Sequence, residues 1–176
     1  MLNFKSWLFN EDKSHSYSCV MANFPNPNEF INWSKKHIDH KDLYLQEGGI
    51  EKTPHVTVLY GLHTTEHNEI ADLIKNIKPF QIKLGSVSKF AAEKYDVLKI
   101  EVKSKELFKL NQLLKRLPYT SKFKEYVPHC TLAYVEKDTC DNLIGDKQFE
   151  GKTINVSELV FSPSSGEKTK ITLNNV

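Results

Sequence analysis

Two stretches of this chain share one pattern: Pro54–Tyr60 reads PHVTVLY, and Pro128–Tyr134 reads PHCTLAY. Each stretch is an apolar run of strand length that begins at a proline and contains the tripeptide His-x-Thr. Because side chains alternate across a strand, the histidine and the threonine of each copy share one face. The pattern therefore predicts two strands that each present an imidazole beside a hydroxyl.

The residue types in the two motifs suit phosphoryl transfer. If the strands are close in the fold, either imidazole of the pair His55 and His129 can accept a proton while the other donates one. The hydroxyls of Thr57 and Thr131 can hydrogen-bond the non-bridging oxygens of a phosphate, where charge grows in the transition state. A single His-x-Thr is commonly only a histidine at a sheet edge, but the doubled motif favours catalysis. Which histidine is the base stays open at the level of sequence.

The predicted elements follow a similar order in both halves of the chain, since strands and an amphipathic helix accompany each motif strand. Besides the motifs, strands are predicted at 17–24, 80–87, 97–102, 154–161 and 169–173. Helices are predicted from Asn26 to about Asp39, from a cap at Thr65 to before Pro79, and through Leu107–Leu117. We therefore expect a structural duplication and an α+β fold with helices outside two sheets.

Length and charge set bounds on the function. At 176 residues, of which 39% are hydrophobic, the chain is long enough for one domain with a core, expected to span residues 1–176. A formal net charge of +2 gives no general basic field, so duplex DNA is not an expected partner. Arg116 is the only arginine, so a cation on a phosphate would have to be a lysine.

The cysteines and the N-terminal segment indicate the compartment. Cys19, Cys130 and Cys140 have no metal-ligand spacing, and with no signal peptide their odd number favours a reducing, cytoplasmic location. Cys130 lies inside the second motif, so it should point to the opposite face as a small core residue. The aromatic segment Phe4–Phe9 is too short to span a membrane, and we expect it to pack on the domain or cover its cleft.

No metal ion or other cofactor is expected. The pairs His37 and His40, and His63 and His67, have spacings that could suit a metal, but neither pair comes with further ligands. Histidines on a helix surface or in a loop are the commoner interpretation of such pairs.

At its two motifs the chain resembles the two-histidine phosphoesterase superfamily, and the resemblance extends from about Tyr17 to Phe161. It implies a bilobed fold of two pseudo-symmetric lobes of antiparallel sheet, with helices outside and a central cleft. It also implies that the two motif histidines are the acid–base pair and that the two motif threonines bind phosphate. Members of this superfamily cleave phosphodiesters that have a neighbouring ribose hydroxyl, and they need no metal or other cofactor.

Within that superfamily the chain departs from many RNA-processing members, which carry arginine soon after the second motif where this chain has Tyr134. It is more similar to the phage anti-CBASS nucleases, which degrade the cyclic di- and trinucleotide signals of bacterial immunity. Their pattern has a tyrosine on the first strand and a glutamate late in the chain, and Tyr17 and Glu158 fit those places. The resemblance implies that Tyr17 stacks on a base and that Glu158 hydrogen-bonds one. The location would be the host cytoplasm for a phage-encoded protein.

Glu158 is also a candidate for a reason independent of the resemblance. It lies between Val156 and Val160, on a face of the predicted strand that is otherwise apolar. A carboxylate there is unfavourable unless it is paired or lines a wet cleft. The alternative is a glutamate at a strand end that reaches water, and the sequence leaves both interpretations open.

The expected function is that of a metal-independent phosphodiesterase cleaving 3'–5' bonds of cyclic di- and trinucleotides. One alternative is a phosphodiesterase acting on RNA ends with 2',3'-cyclic phosphates or on 2'–5' oligonucleotides. A second alternative is a nucleotide-binding module that does not cleave its ligand. The expected partner is thus a cyclic oligonucleotide or a short RNA-like substrate, with no membrane involved.

Overall fold

The computed structural model describes residues 17–121, 123 and 125–174, so the N-terminal aromatic segment lies outside the described residues. The α-helices are α1 (Pro27–His37), α2 (His67–Ile74) and α3 (Lys105–Leu114). The strands are β1 (Ser18–Asn23), β2 (His55–Leu62), β3 (Phe80–Ala91), β4 (Tyr95–Lys103), β5 (His129–Glu136), β6 (Thr153–Val156), β7 (Glu158–Ser162) and β8 (Thr169–Thr172). Short 3-10 turns lie at His40–Asp42, Leu45–Glu47 and Asp141–Leu143.

The eight strands form one antiparallel sheet in the order β6-β3-β4-β5-β2-β1-β7-β8. The predicted α+β fold with two lobes is confirmed, and the lobes are β2-β1-β7-β8 and β6-β3-β4-β5. The sequence predicts two sheets, whereas the lobes are joined into one through a single residue pair, Val56 opposite Cys130. We call the lobe that contains β1 and β2 the N-terminal lobe and the other the C-terminal lobe.

The sheet curls at a point where the sequence wrongly predicts a continuous strand. The sequence predicts one strand over 154–161, but the structure breaks it at Ser157 into β6 and β7. The pairing partners change at Ser157, because β6 pairs with β3 whereas β7 pairs with β1 and β8. The Ser157 carbonyl already accepts a hydrogen bond from the Leu173 N–H, next to β8, at 2.9 Å. Since β6 and β7 belong to different lobes and only one residue separates them, the sheet must bend until its two ends approach each other.

One face of the sheet carries the main core and is covered by the α-helices. The helices contribute apolar side chains at one-face spacing, which become almost fully buried against the strands: Phe30, Trp33, Ile70, Ile74, Leu107, Leu110 and Leu114. Full burial of each such side chain is worth roughly 1.5–3 kcal/mol. Because a register slip of one residue would reverse the faces, this burial fixes which strand residues point away from the helices.

The helix boundaries differ from prediction at two ends. Helix α2 begins at His67, without Thr65 as its cap, because the neighbouring Thr64 hydroxyl accepts from the backbone N–H of Glu66 at 3.1 Å. It ends at Ile74, well before Pro79. By contrast α3 has a side-chain cap, since the Ser104 hydroxyl accepts from an N–H in its first turn. Across the described ranges, no helix is long and apolar enough to cross a lipid bilayer.

Besides the single residue pair that joins the lobes, backbone hydrogen bonds connect them. Each motif strand is hydrogen-bonded by the loop segment that precedes the motif of the other lobe. The Tyr134 N–H of β5 donates to the Gly49 carbonyl at 2.8 Å, and the Thr120 N–H donates to the Gly61 carbonyl of β2, also at 2.8 Å. Gly61 is required there, because its φ is +100° and a Cβ would lie 1.9 Å from the Thr120 carbonyl oxygen. The two lobes are therefore interlocked around the motif strands.

Candidate active site

The two motif strands are neighbours at the centre of the sheet, as the catalytic interpretation of the motifs requires. Val56 and Cys130, the middle residues of the motifs, pair with each other and are fully buried on the helix face. The expectation that Cys130 is a core residue is thereby confirmed. Continuing this antiparallel register by one residue in each direction places each motif histidine opposite the motif threonine of the other strand. Opposite residues have Cβ atoms about 4.5–5.5 Å apart, so the four side chains share one patch.

Both imidazoles are anchored in the same way. Nδ1 of His55 bonds the carbonyl of Thr53 at 2.7 Å, and Nδ1 of His129 bonds the carbonyl of Val127 at 2.8 Å. A carbonyl can only accept, so Nδ1 carries the hydrogen in each ring, and in a neutral ring Nε2 is then the proton acceptor. No described residue hydrogen-bonds either Nε2 atom, so both are free to meet a substrate.

The backbone around the two motifs is also matched. The N–H groups of Phe24 and Val102 donate to the proline carbonyls that precede the histidines, at 3.1 and 3.3 Å. One residue after each motif threonine the strand register slips, so that Val58 and Leu132 are extra residues in β2 and β5. Such β-bulges are common beside active sites, because they bend the strand and re-aim the side chains next to them.

Each bulge is held by a buried polar side chain from a helix of the other lobe. Asn111 on α3 donates from Nδ2 to the Val58 carbonyl at 2.8 Å. Ser34 on α1 donates from its hydroxyl to the Leu132 carbonyl at 3.4 Å. Both side chains are almost fully buried. Our sequence analysis missed these two residues, although a polar residue on the apolar face of an amphipathic helix was a signal that could have found them.

The electrostatics of the site are perturbed at His129, in the C-terminal lobe. Burial lowers the pKa of His129 to about 4; the Val127 carbonyl opposes this shift, and the charges of Lys99 and His55 add to it. The His129 ring is also perpendicular to the ring of Phe90, with centroids 4.9 Å apart. His129 is therefore a neutral imidazole at neutral pH.

Lys99 is a further residue of this patch that our sequence analysis did not name. It pairs with Thr131 across β4 and β5, so it shares the face of the motif side chains, and it is only 5% exposed. Its Nζ donates to the Ser88 hydroxyl at 2.7 Å and lies 4.1 Å from the centroid of the Phe90 ring. The available signal was a lysine within the run Val97–Ile100, whose other residues are apolar, together with the shortage of arginine.

The N-terminal lobe has apolar residues at the corresponding places. Met21 pairs with Thr57, and Val160 pairs with Met21, so both share the motif face. Cys19 completes a small buried cluster with them, and Tyr60 packs on its margin. Burial raises the pKa of the Cys19 thiol to about 12, against the lowering effect of a hydrogen bond with Thr57, so the thiol is neutral.

Tyr17 lies beside this apolar cluster, at the start of β1. Its ring stacks on His63 with centroids 5.3 Å apart and meets Tyr60 edge-on at 6.2 Å. Its location on the N-terminal lobe is compatible with base stacking. Within the described residues Tyr17 makes no ring contact with either motif histidine, so its role as a base-stacking residue stays a prediction.

Glu158 is the first residue of β7 and shares the face of Val160, because the two are separated by one buried residue. Its carboxylate forms an ion pair with Lys170 at 2.7 Å, and 43% of its side chain is exposed. Glu158 therefore has both a partner and access to water, and its side chain is on the face that carries the motifs. Its role in binding a base stays a prediction.

The remaining predicted positions have structural partners. Tyr134 is buried among aromatic residues next to Tyr95, and burial raises its pKa well above the usual value, so it carries no charge. His37 stacks on Trp33. In the part of the chain that the structure describes, no three His, Cys, Asp or Glu side chains come together as metal ligands.

The sequence and the fold both match known proteins. The profile of the 2'-5' RNA ligase superfamily matches residues 36–161. E. coli LigT in complex with 3'-AMP is 15% identical, with a TM-score of 0.63 over 90% of this chain and 95% of that chain. Usb1 of Kluyveromyces marxianus is 11% identical, with a TM-score of 0.59 over 92% of this chain and 99% of that chain. No curated protein sequence gives a significant match.

The match to the superfamily profile covers well over half of the 176 residues and includes both motifs. The solved structures agree with it at the level of the fold. The chain therefore belongs to the 2'-5' RNA ligase superfamily, the two-histidine phosphoesterases, whose members are phosphodiesterases.

Proposed function

We propose that this protein is a metal-independent phosphodiesterase that cleaves the 3'–5' bonds of cyclic di- and trinucleotide immune signals, as phage anti-CBASS nucleases do. The observation that carries the proposal is the matched anchoring of two imidazoles on adjacent strands. His55 and His129 each donate from Nδ1 to a carbonyl two residues earlier, which leaves two Nε2 atoms for a substrate. Two such nitrogens supply the proton acceptor and the proton donor of a phosphodiester cleavage.

The reaction is an attack of a ribose 2'-hydroxyl on the adjacent phosphorus. The 2' oxygen bonds to phosphorus as its proton passes to the neutral imidazole, and the bond to the 5' oxygen breaks as the imidazolium protonates that oxygen. The products are a 2',3'-cyclic phosphate and a free 5'-hydroxyl. The hydroxyls of Thr57 and Thr131 donate to the non-bridging oxygens, which become more negative in the transition state. Water can open the cyclic phosphate afterwards, with the two imidazoles exchanging roles.

We assign the base to His129 and the acid to His55. Burial, together with nearby positive charge, lowers the pKa of His129 to about 4, so this ring is neutral at neutral pH and able to accept the 2' proton. His55 then donates the proton to the leaving 5' oxygen. Because each ring presents the same nitrogen, the assignment depends on charge and burial rather than on a difference in orientation.

The N-terminal lobe supports a nucleobase next to the phosphate. Cys19, Met21 and Val160 form a buried apolar cluster on the motif face there, and the rings of Tyr17 and Tyr60 border it. Aromatic rings bind bases by stacking, which tolerates all four bases and leaves discrimination to polar neighbours. The similar structures of LigT and Usb1 were determined with 3'-AMP and with uridine monophosphate, respectively, so nucleotide ligands are consistent with this fold.

The proposal is tested by a substrate panel analysed by mass spectrometry. The panel contains 3'–5' cyclic dinucleotides and trinucleotides, linear 2'–5' oligoadenylate, and an RNA ending in a 2',3'-cyclic phosphate. Cleavage of the cyclic nucleotides in the presence of excess EDTA is the expected result. The matched control is the double variant His55→Ala/His129→Ala, purified in the same way, which should cleave nothing.

Other results of the same panel favour the alternatives. Preferential cleavage of the RNA end or of the 2'–5' linkage would replace the cyclic substrate by a linear one while keeping the two-histidine chemistry. Recovery of every nucleotide unchanged, with tight binding of one of them, would favour a binding module. Loss of activity on chelation, restored by a divalent ion, would contradict a metal-independent mechanism.

A further inference from the structure

Lys99 differs from the buried Asp96 of the described residues, because it has no ion pair within 4 Å among them. The residue is 5% exposed, its Nζ bonds a hydroxyl, and the Glu101 carboxylate interacts with it only electrostatically, from beyond ion-pair distance. The buried Asp96, in contrast, has Lys89 at 2.8 Å and Lys137 at 3.8 Å. Burying an ionised group without a counter-charge is unfavourable. An unpaired ammonium inside a candidate site therefore points to an anion supplied from outside.

The location of this ammonium is defined by the sheet register. Ser88, Lys99 and Thr131 pair across β3, β4 and β5, so their side chains form one row on the motif face. The Ser88 hydroxyl accepts from Nζ at 2.7 Å, which holds the side chain in place. The same Nζ lies over Phe90, whose ring is perpendicular to that of His129. Nζ is thus on the motif face, its backbone is paired with Thr131, and its charge acts on the His129 imidazole.

We infer that Lys99 binds a non-bridging oxygen of the scissile phosphate, together with Thr131, and so is the cation of the phosphate site. The inference rests on the proposed function, and it names the group that holds the substrate's negative charge. The C-terminal lobe has a buried lysine beside its motif, whereas Lys168, the cation that acts on Cys19 of the N-terminal lobe, is exposed. A bound nucleotide is therefore oriented with its phosphate towards β4 and its base towards the apolar cluster of the N-terminal lobe.

A purely structural role for Lys99 gives the opposite expectation for one measurable property. If the ammonium serves only to pack on Phe90 and bond Ser88, its replacement by methionine should destabilise the fold. If Lys99 instead binds an anion from the substrate, Lys99→Met should leave the melting temperature of the substrate-free protein unchanged or raise it. The reason is that the replacement removes a buried charge that has no ion pair. The same replacement should weaken phosphate binding, so stability and binding change in opposite directions.

The first experiment measures binding of inorganic phosphate and of 3'-AMP to the substrate-free protein by calorimetry, for wild type, Lys99→Met and Lys99→Arg. We expect at least tenfold weaker binding of both ligands to Lys99→Met and partial recovery in Lys99→Arg. The matched control is Lys109→Met, which removes the same charge from the exposed face of α3. Equal affinities of wild type and Lys99→Met, or an equal loss in Lys109→Met, would overturn the inference.

The second experiment follows the ring signals of His129 by NMR against pH. Because the Lys99 charge disfavours a charged imidazole, Lys99→Met should raise the pKa of His129, and phosphate should raise it in wild type but not in Lys99→Met. An unchanged titration in both comparisons would overturn the inference. Ser88→Ala provides a variant that keeps the charge, and it should bind phosphate more weakly than wild type but more tightly than Lys99→Met.

These readouts separate the inference from the function on which it rests. Phosphate binding that depends on Lys99 in a protein that cleaves no cyclic nucleotide would support the inference and contradict the proposed substrate. Cleavage of cyclic nucleotides with an unchanged KM and kcat in Lys99→Met would support the proposed substrate and contradict the inference about Lys99. For active protein we expect the loss in Lys99→Met to be at least tenfold in kcat/KM.

Discussion

The two lobes of this protein are alike in their backbone and unlike in the side chains next to the motifs. Each lobe has an imidazole anchored through Nδ1, a proline carbonyl bonded by the neighbouring strand, and a bulge one residue after the motif. Next to the threonine, however, the N-terminal lobe places Met21 and Val160, whereas the C-terminal lobe places Lys99 and Ser88.

This difference separates two requirements of the reaction. In the proposed reaction one proton passes to the protein and another leaves it, so two acid–base groups are needed, and the matched imidazoles are our candidates for them. A nucleotide is not symmetric, because it has a charged phosphate on one side and an apolar, stackable base on the other. We propose that the unmatched residues meet that second requirement, since one lobe has a buried lysine beside its motif and the other an apolar cluster.

The largest effect is expected when the matched features are broken. His55→Ala and His129→Ala should each lower kcat about a hundredfold or more, because each removes a separate proton transfer. Circular dichroism should show both variants folded, and substrate binding should largely persist, since both motif hydroxyls remain. A variant of either histidine that keeps nearly wild-type kcat on the true substrate would show that the two imidazoles do not act as a pair.

The pH dependence should reveal that the two histidines are not equivalent in charge. With His129 as the base and its pKa lowered to about 4, the acid limb of kcat/KM should lie near pH 4 instead of near the ordinary histidine value of about 6.5. The measurement is kcat/KM from pH 3.5 to 9. An acid limb near 6.5 would contradict the lowered pKa of His129 and its assignment as the base.

The same lowered pKa has a consequence for stability, with a definite sign. Because the folded state holds the ring neutral while the unfolded chain binds a proton below about pH 6.5, the contribution of His129 to stability is complete above that pH. It is lost as the pH falls towards about 4. Urea unfolding at pH 4–7 should therefore show a smaller decrease in His129→Gln than in wild type.

Much of the frame could be predicted from the sequence, because it depends on local patterns. Alternation along the motif strands and the apolar spacing of α3 have a period that a single stretch reveals. The break at Ser157 could not be found in this way, because the residues on either side are both strand-like. It depends on a change of partner strands, from β3 before Ser157 to β1 and β8 after it, which no local pattern contains.

The residues of the candidate site also fall into two groups, those that a local pattern reveals and those that only the pairing of strands reveals. The histidines and threonines repeat as a motif and are recognisable without a fold. Lys99 has no motif, and its importance comes from pairing with Thr131 on one side and Ser88 on the other, which only the register of three strands reveals. Asn111 is similar, since its partner carbonyl belongs to Val58, on a strand of the other lobe.

The two bulges provide a second comparison between the lobes, with an effect on stability. Asn111→Ala should lower the free energy of unfolding by about 3 kcal/mol, because it leaves the buried Val58 carbonyl without its donor and opens a cavity. Ser34→Ala should cost less, about 1 kcal/mol, since its bond to Leu132 is longer, at 3.4 Å, and Leu132 also accepts from the Glu51 N–H. Equilibrium unfolding in urea measures both.

The bulges are also expected to affect catalysis through the motif that each one follows. Asn111→Ala should lower kcat more than it raises KM, since it disturbs the strand that carries His55 and Thr57 without touching the substrate. Asn111→Asp keeps the size but removes the donor, so it should lose activity as Asn111→Ala does. Full activity in both variants would mean that the bulge shapes the fold only.

The smallest effects are expected in the unmatched surface of the N-terminal lobe, where they should change substrate choice. Tyr17→Ala should weaken binding of the covered base by about 1 kcal/mol, at the low end for stacking, because the ring is already engaged with His63. Glu158→Gln should weaken discrimination among bases, since a carboxylate only accepts hydrogen bonds whereas an amide also donates. Its exposed ion pair with Lys170 should add little to stability.

The test compares kcat/KM on cyclic dinucleotides of different base composition for wild type, Tyr17→Ala and Glu158→Gln, with Lys170→Gln as the control for the ion pair. If Glu158 contacts a base, Glu158→Gln should change the order of substrates while Lys170→Gln leaves it unchanged. The same change in both variants would show that the ion pair matters and the base contact does not. A uniform loss on all substrates, or no loss, would remove Tyr17 and Glu158 from the recognition site and leave base preference to the apolar cluster around Met21.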